Sequence, residues 1–276
     1  MSAFVRLQHL LPQHGLSRAV GLLASSEVPW IREPLIRLFA SVYGIDMTEA
    51  ERPDLASYRS FNDFFTRALV SSARPIDPAS DSVVSPADGA VSQTGIIEQG
   101  ELIQAKGIRY PFGALADVCA GPGFEGGAFV TVYLSPKDYH RVHLPLAGRL
   151  VRTVAVPGRL FSVNATTEAG VEGLFAVNER LVMEFETDAG RMLVVMVGAM
   201  IVASIETVWP GPRSPYQTKQ VTEHDLAFEK GAEIGRFLLG SSVVLAFEQG
   251  RVRLDEALAP GFVVRMGEAV GSEVAA

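Results

Sequence analysis

The 276-residue chain carries a single cysteine, Cys119, and only five histidines. One cysteine closes no intramolecular disulfide, and no Cys/His cluster has the spacing of a four-ligand zinc site, so a disulfide scaffold and a zinc domain are both unexpected and no metal is assigned. A reducing, cytoplasmic setting fits. Long apolar runs are missing as well: Pro, Arg and Glu interrupt every stretch that approaches the roughly 20 residues needed to cross a bilayer. The start, Met1-Ser2-Ala3-Phe4-Val5-Arg6, has no basic region ahead of a continuous apolar core, so neither a spanning helix nor a secretory leader is expected. Positive charge is scarce, with a net charge of −7, which argues against nucleic acid as a partner. The exception is residues 1–45, where Arg6, Arg18, Arg32 and Arg37 face only Glu27 and Glu33.

What is present is a folded, turn-rich composition: 48% hydrophobic, 20% charged, with 26 Gly and 16 Pro, enough to bury a substantial core. Residues from Leu16 to Tyr43 predict two helices separated at Pro29, with Ile31, Leu35, Leu38, Phe39 and Val42 recurring at helical spacing. Such a stripe either packs on its own domain or, with Trp30, Arg32 and Arg37 beside it, lies in a membrane interface. Phe61-Asn62-Asp63-Phe64-Phe65 predicts a short helix, followed by an extended arm around Arg74-Pro75-Ile76-Asp77-Pro78. From Val83 onward short apolar segments alternate with Gly, Pro and Asp, which predicts strands over Gly89–Ile96, Ala128–Leu134, Leu150–Val156, Leu181–Glu186, Met192–Val197 and Val243–Phe247. The fold class is therefore α+β, a β-rich body preceded by an N-terminal amphipathic helical region.

Three places carry candidate chemistry. Gly240 and Ser241 stand at the mouth of the last of those strands, and a glycine carbonyl without a shielding side chain lets the neighbouring Ser241 hydroxyl approach it. His140 and His143 fall within Ser135-Pro136-Lys137-Asp138-Tyr139-His140-Arg141-Val142-His143. Ser135 as N-cap and Pro136 at the first helical position favour a helical turn, which would place both imidazoles on one face of a pocket; a structural role for either histidine is the alternative. Asp88, in Ser85-Pro86-Ala87-Asp88-Gly89, suits an Asx-type turn. If it met His143 and Ser241 it would instead complete an Asp-His-Ser constellation. Phe161-Ser162-Val163-Asn164 lines a pocket or connects strands, and Glu206 and Trp209 serve as cross-strand packing or pocket wall.

Taken in order, Ser85 to Gly89, Tyr139 to Pro145, Phe161 to Asn164, Gly198 to Trp209 and Leu239-Gly240-Ser241-Ser242 closely resemble the bacterial, membrane-associated phosphatidylserine decarboxylases, a resemblance that runs through almost the whole chain. It implies a barrel-sandwich-hybrid-like catalytic domain over residues 61–276 and a helical membrane-binding region over residues 1–60. It further implies a proenzyme that cuts itself between Gly240 and Ser241 into chains 1–240 and 241–276. Ser241 Oγ would displace the amide to form an ester, with His143 as general base and Asp88 orienting it. Elimination from that ester and hydrolysis would leave a pyruvoyl group in place of Ser241 and release ammonia.

The pyruvoyl group, with no added pyridoxal phosphate, would be the electron sink for decarboxylating phosphatidylserine to phosphatidylethanolamine and CO2. His140 would handle the substrate carboxylate or return the proton to the α-carbon. The resemblance also implies a homodimer of cleaved protomers, bound peripherally to the cytoplasmic side of the cell membrane. One departure is that the family's common Leu-Gly-Ser-Thr reads here Leu239-Gly240-Ser241-Ser242. Two other readings remain: a hydrolase using Ser241, His143 and Asp88, which the absence of a Gly-x-Ser-x-Gly elbow disfavours, and a membrane-associated binding module, which the clustered histidines disfavour.

Overall fold

The computed structural model describes residues 3–199, 205–212, 214–238 and 241–274. Gly240 and the residue before it lie outside the described residues, as do 200–204. Three helices open the chain: α1 (Ala3–Leu10), α2 (Gln13–Ala24) and α3 (Pro29–Tyr43). Pro29 is the first residue of α3, where its missing N–H and fixed φ are tolerated, and Gly44 ends α3 at φ 60°. A fourth, α4 (Phe61–Phe65), is capped by Ser60, whose side chain accepts from the Asp63 N–H at 3.2 Å.

The apolar stripe expected on α3 divides. Ile36 is buried, and Leu35 and Phe39 pack on a cluster of Ala24, Tyr58, Phe61, Phe64 and Phe65. Leu38, Val42 and Trp30 point outward, with Trp30 77% exposed. The cluster runs across residue 60 into α4, so the short Phe-rich helix belongs physically with the helices before it.

The body is an open eight-stranded antiparallel sheet. Its strands that matter for the site are β1 (Gly89–Ile96), β2 (Ala128–Leu134), β4 (Gly148–Val156), β5 (Arg180–Thr187), β6 (Gly190–Gly198), β8 (Gln220–Phe228), β10 (Ser241–Phe247) and β11 (Val263–Val264). They lie in the order β8-β4-β5-β6-β10-β2-β1-β11. The two edges do not pair, so the fold is α+β without a closed barrel. A smaller sheet, in the order β7-β9-β3, is built from β3 (Arg141–His143), β7 (Ile205–Thr207) and β9 (Glu233–Phe237).

The large sheet is covered on both faces. On β10, Val243, Leu245 and Phe247 join one core and Val244 and Ala246 the other. Double-sided burial is why this strand reads as an unbroken apolar run rather than an alternating one. The N-terminal helices are tied to the body by two buried amides: Gln13 Oε1 accepts from Leu160 N at 2.9 Å and Gln8 Oε1 from Ser162 N at 2.9 Å. The Phe161–Asn164 segment is thus an anchor for the helices, with Asn164 also capping a short helix through Thr167 N. Trp209 packs against the core with its ring 5.5 Å from that of Phe228, whereas Glu206 is exposed on β7.

Candidate active site

Ser241 is the first residue of β10 and is fully buried. It pairs with Leu134 at the end of β2 on one side and with Gly198 at the end of β6 on the other. Among the described residues its Oγ has no hydrogen-bond partner, and neither has that of Ser242. Buried hydroxyls are nearly always paired, so two adjacent orphans at the head of a central strand mark an unusual position.

The segment that follows Leu134 carries the histidines, but not as a helical turn. Asp138 N donates to Ser135 O at 2.9 Å and Ser135 N to Asp138 Oδ2 at 2.7 Å, closing a tight turn, after which Arg141–His143 is extended. The expectation of a shared helical face fails because β3 is captured by β9, a pairing with residues about ninety positions away that local sequence does not reveal. Extended residues three apart face opposite ways, and the two imidazoles have different surroundings.

His140 is completely buried against Phe65, their ring centroids 4.0 Å apart. Its Nδ1 lies 2.8 Å from the Asp138 carbonyl. A carbonyl only accepts, so Nδ1 carries the proton and Nε2 the lone pair; among the described residues that Nε2 has no partner. Burial pushes the His140 pKa down to about 3, so the ring is neutral. Its backbone carbonyl accepts from Phe237 N at 2.9 Å, which fixes it beside the strand end that leads towards Ser241.

His143 is similarly neutral, its pKa lowered first by burial. Nδ1 lies 2.8 Å from the Gly231 carbonyl and Nε2 3.1 Å from the Tyr139 hydroxyl. The Gly231 carbonyl therefore sets the tautomer, leaving Nε2 to accept from Tyr139. This is the orienting task the sequence had suggested for Asp88.

Asp88 is engaged elsewhere. Its carboxylate receives Arg74 Nε at 2.9 and 3.0 Å, Arg74 Nη2 at 2.6 Å and the Met266 N–H at 2.9 Å. It forms neither the expected hydrogen bond to His143 nor an Asx turn with its own backbone, because a bidentate guanidinium outcompetes both. The Asp88 charge still reaches His143 through space as a minor influence, and the same segment touches it directly, with His143 N donating to Pro86 O at 2.8 Å. Gly89, next in line, has to be glycine: a Cβ there would sit 2.2 Å from the Tyr133 carbonyl.

Arg74, Tyr139, Phe65 and the Gly231 carbonyl escaped the sequence reading. Arg74 carried the one available hint, an arginine at the start of a Pro-rich arm. Among the described residues there is no cluster of three metal-ligating side chains. Cys119 is buried with its thiol pushed up to about 12 by desolvation, so it is no nucleophile.

Comparison with known proteins agrees along the whole chain. The family model described as phosphatidylserine decarboxylase matches residues 61–272, and one described as PSD matches residues 3–44. The phosphatidylserine decarboxylase proenzyme of Azotobacter vinelandii is 51% identical, over 97% of this chain and 97% of that protein. Those of Acinetobacter baumannii (strain ACICU) and Ectopseudomonas mendocina are each 50% identical, over 98% of this chain and 96% and 97% of theirs. A match of this extent places the chain in the phosphatidylserine decarboxylase family of carboxy-lyases.

Proposed function

We propose that the chain is a proenzyme that cleaves itself between Gly240 and Ser241 and then decarboxylates phosphatidylserine to phosphatidylethanolamine and CO2. The observation that carries this reading is the orphaned Ser241 Oγ, a buried nucleophile with no competing partner at the start of β10. In the first stage Ser241 Oγ bonds to the Gly240 carbonyl carbon as the amide C–N bond breaks, and the hydroxyl proton passes by way of His143 to the departing nitrogen. His143 suits a base because it is neutral and its Nε2 holds the lone pair. The Tyr139 hydroxyl must turn aside to free it.

The buried, unpartnered Ser241 side chain fits a pyruvoyl group formed from it: a small carbonyl needs no donor there, and the strand on either side stays paired. That group supplies the electron sink for losing CO2. His140, whose free Nε2 lone pair sits in a dry site against Phe65, is the residue to handle the proton that returns to the substrate α-carbon, taking it up only as it is passed on. Chains 1–240 and 241–276 then form one protomer, and pairing of two protomers belongs to the same proposal.

The lipid substrate gives the exposed helices their reason. Phe4, Leu7, Leu22, Leu23, Trp30, Leu38 and Val42 of α1–α3 are all exposed, with Arg6, Arg18 and Arg37 exposed among them. Among the described residues no helix is long and apolar enough to cross a membrane. An apolar surface with cations suits peripheral docking on an anionic leaflet, here the cytoplasmic face of the cell membrane, at about 1 kcal/mol per arginine. Intact-mass measurement of active protein tests the core of the proposal. Two chains, the smaller starting at a blocked residue 241 that borohydride reduces, are expected; a single uncut chain in active material refutes it.

A further inference from the structure

Arg67 is an anomaly. It is 4% exposed, yet among the described residues it has no carboxylate within 4.0 Å. Of its side-chain nitrogens only Nη2 is bonded, to the Lys137 carbonyl at 3.1 Å, while Nε and Nη1 are buried without partners. Burial pulls its pKa below the usual arginine value. A desolvated guanidinium with two idle donors is costly unless something anionic completes it. It lines a cavity of about 540 Å³ together with Asp88, Tyr133, Ser135, Lys137 and Tyr139.

The other cations at that cavity differ in one respect. Arg74 is held by Asp88 and Glu49, and Arg265 lies 3.7 Å from Glu49, whereas Lys137 is exposed at the rim and, like Arg67, has no acidic partner among the described residues. Of the acids, Asp46 is taken up with Thr48 and Asp138 with Ser135. The site also adjoins His140: Phe65, two residues before Arg67, packs its ring against His140 at a tilt, and Thr66 O accepts from Arg141 Nε at 2.9 Å.

We propose that Arg67 is the substrate-reading residue of the cavity, its guanidinium charge and idle Nη1 donor taking a free oxygen of a phosphodiester, with Lys137 at the rim. The proposal rests on the decarboxylase reading above and names which anion of the substrate is held. Phosphatidylserine offers a carboxylate as well, but the carboxylate loses its charge as CO2 departs, so an ion pair to it would stabilise the ground state and oppose the reaction. The phosphodiester keeps its charge throughout, and binding it is neutral to the chemical step. Its ester oxygen is bonded to the carbon next to the α-carbon, so its site has to neighbour the reacting one, as Arg67 neighbours His140.

The test uses processed protein and detergent micelles containing phosphatidylserine, with CO2 release as readout. For Arg67→Gln we expect KM to rise by about 30-fold with kcat within a factor of about three, the signature of lost uniform binding through a charge-assisted pair. Arg67→Lys should recover part of the KM. An O-acylserine, the ester of the serine hydroxyl with a long-chain fatty acid, keeps the amine and carboxylate but lacks phosphate, and so separates the two anions. Wild type should use it with a kcat/KM reduced by about 30-fold, and Arg67→Gln should use it as well as wild type does.

An unchanged KM in Arg67→Gln overturns the proposal, and so does a further loss on the phosphate-free ester, which would assign Arg67 to the carboxylate. If Arg67 variants are not processed, the wild-type comparison decides alone, equal kcat/KM on both substrates being the overturning result. Failure of wild type to release CO2 from phosphatidylserine would sink the decarboxylase reading itself, an outcome distinct from all of these.

Discussion

The Arg74–Asp88 pair gives the sharpest test of how this site is held together. Both side chains are less than a tenth exposed, and the carboxylate takes contacts from both Nε and Nη2 of one guanidinium. Replacing Arg74 by Met leaves Asp88 a buried charge with only the Met266 N–H as donor. Stranding one partner of a buried pair costs about 3–5 kcal/mol. Asp88→Asn keeps the shape and leaves Arg74 bonded to Glu49 and to the Ala73 carbonyl, so about 2 kcal/mol is expected there. The double variant should then cost clearly less than the two singles together, with a coupling of at least about 2 kcal/mol.

Urea unfolding followed by far-UV circular dichroism measures this, with every variant built on Ser241→Ala so that the chain stays uncut and unfolding is unimolecular. A coupling below about 0.5 kcal/mol would show that solvent screens the pair and would refute the argument. Self-cleavage adds a second readout. If Asp88 works by holding the segment whose Pro86 carbonyl receives His143 N, Arg74→Met and Asp88→Asn should slow cleavage to similar extents. Abolished cleavage in Asp88→Asn alone would mean that Asp88 acts on His143 itself.

Tyr139→Phe removes the hydroxyl that occupies His143 Nε2. Freeing that lone pair should speed self-cleavage severalfold, about 1 kcal/mol's worth, as timed by gel densitometry; slower cleavage would make Tyr139 a participant. His140 contributes a pH slope. Its folded pKa, about 3, is below its unfolded value, so the unfolded chain binds the extra proton between about pH 6.5 and 3, and stability falls as pH drops through that window. Asp138, Glu168 and Glu179, whose pKa values burial raises, act with the opposite sign, so the difference between variants is the quantity to measure. His140→Gln on the Ser241→Ala background should flatten the slope of unfolding free energy by up to about 1.4 kcal/mol per pH unit, and an unaltered slope would contradict the burial argument. Trp30→Glu with Leu38→Glu should cut cosedimentation with anionic vesicles by at least about 10-fold without altering circular dichroism; undiminished binding would remove α3 from the docking surface.

How much of this was legible depended on whether local chemistry or distant pairing decided the outcome. Gly89–Ile96 and Ala128–Leu134 were read with the bounds they have, and four more strands within two residues at each end, because short segments rich in apolar residues and framed by Gly, Pro and Asp turns mark strands locally. Gln220–Phe228 was missed for the converse reason: an edge strand with one solvated side carries Gln, Thr, Glu, His and Asp. The residues of the site were found, but their partners were not. Ser135-Pro136-Lys137-Asp138 has helix-start chemistry, and only the distant β9 shows why it turns into a strand instead. Likewise nothing near Asp88 in sequence announces Arg74, and nothing near His143 announces the Gly231 carbonyl.

The position of β10 in the sheet has a bearing on what cleavage would do to the protein as an object. The chain 241–276 would begin inside the sheet, with partners on both sides from its first residue, and its later segments Val252–Leu254, Val263–Val264 and Ala269–Glu273 are woven into two sheets. Severing the backbone there removes a covalent tether and, with the ammonia, the residue 241 N–H, while the pairing of residues 242–247 with both neighbouring strands is untouched. The mature protomer would hold its reactive end in place by strand register alone, and native gel filtration should never separate the fragments. Once melted, however, the short fragment would have to find and re-enter the middle of a sheet as a second molecule. Folding would thus be a one-time event that has to precede the cut, and the processed enzyme would last only as long as its first unfolding is postponed.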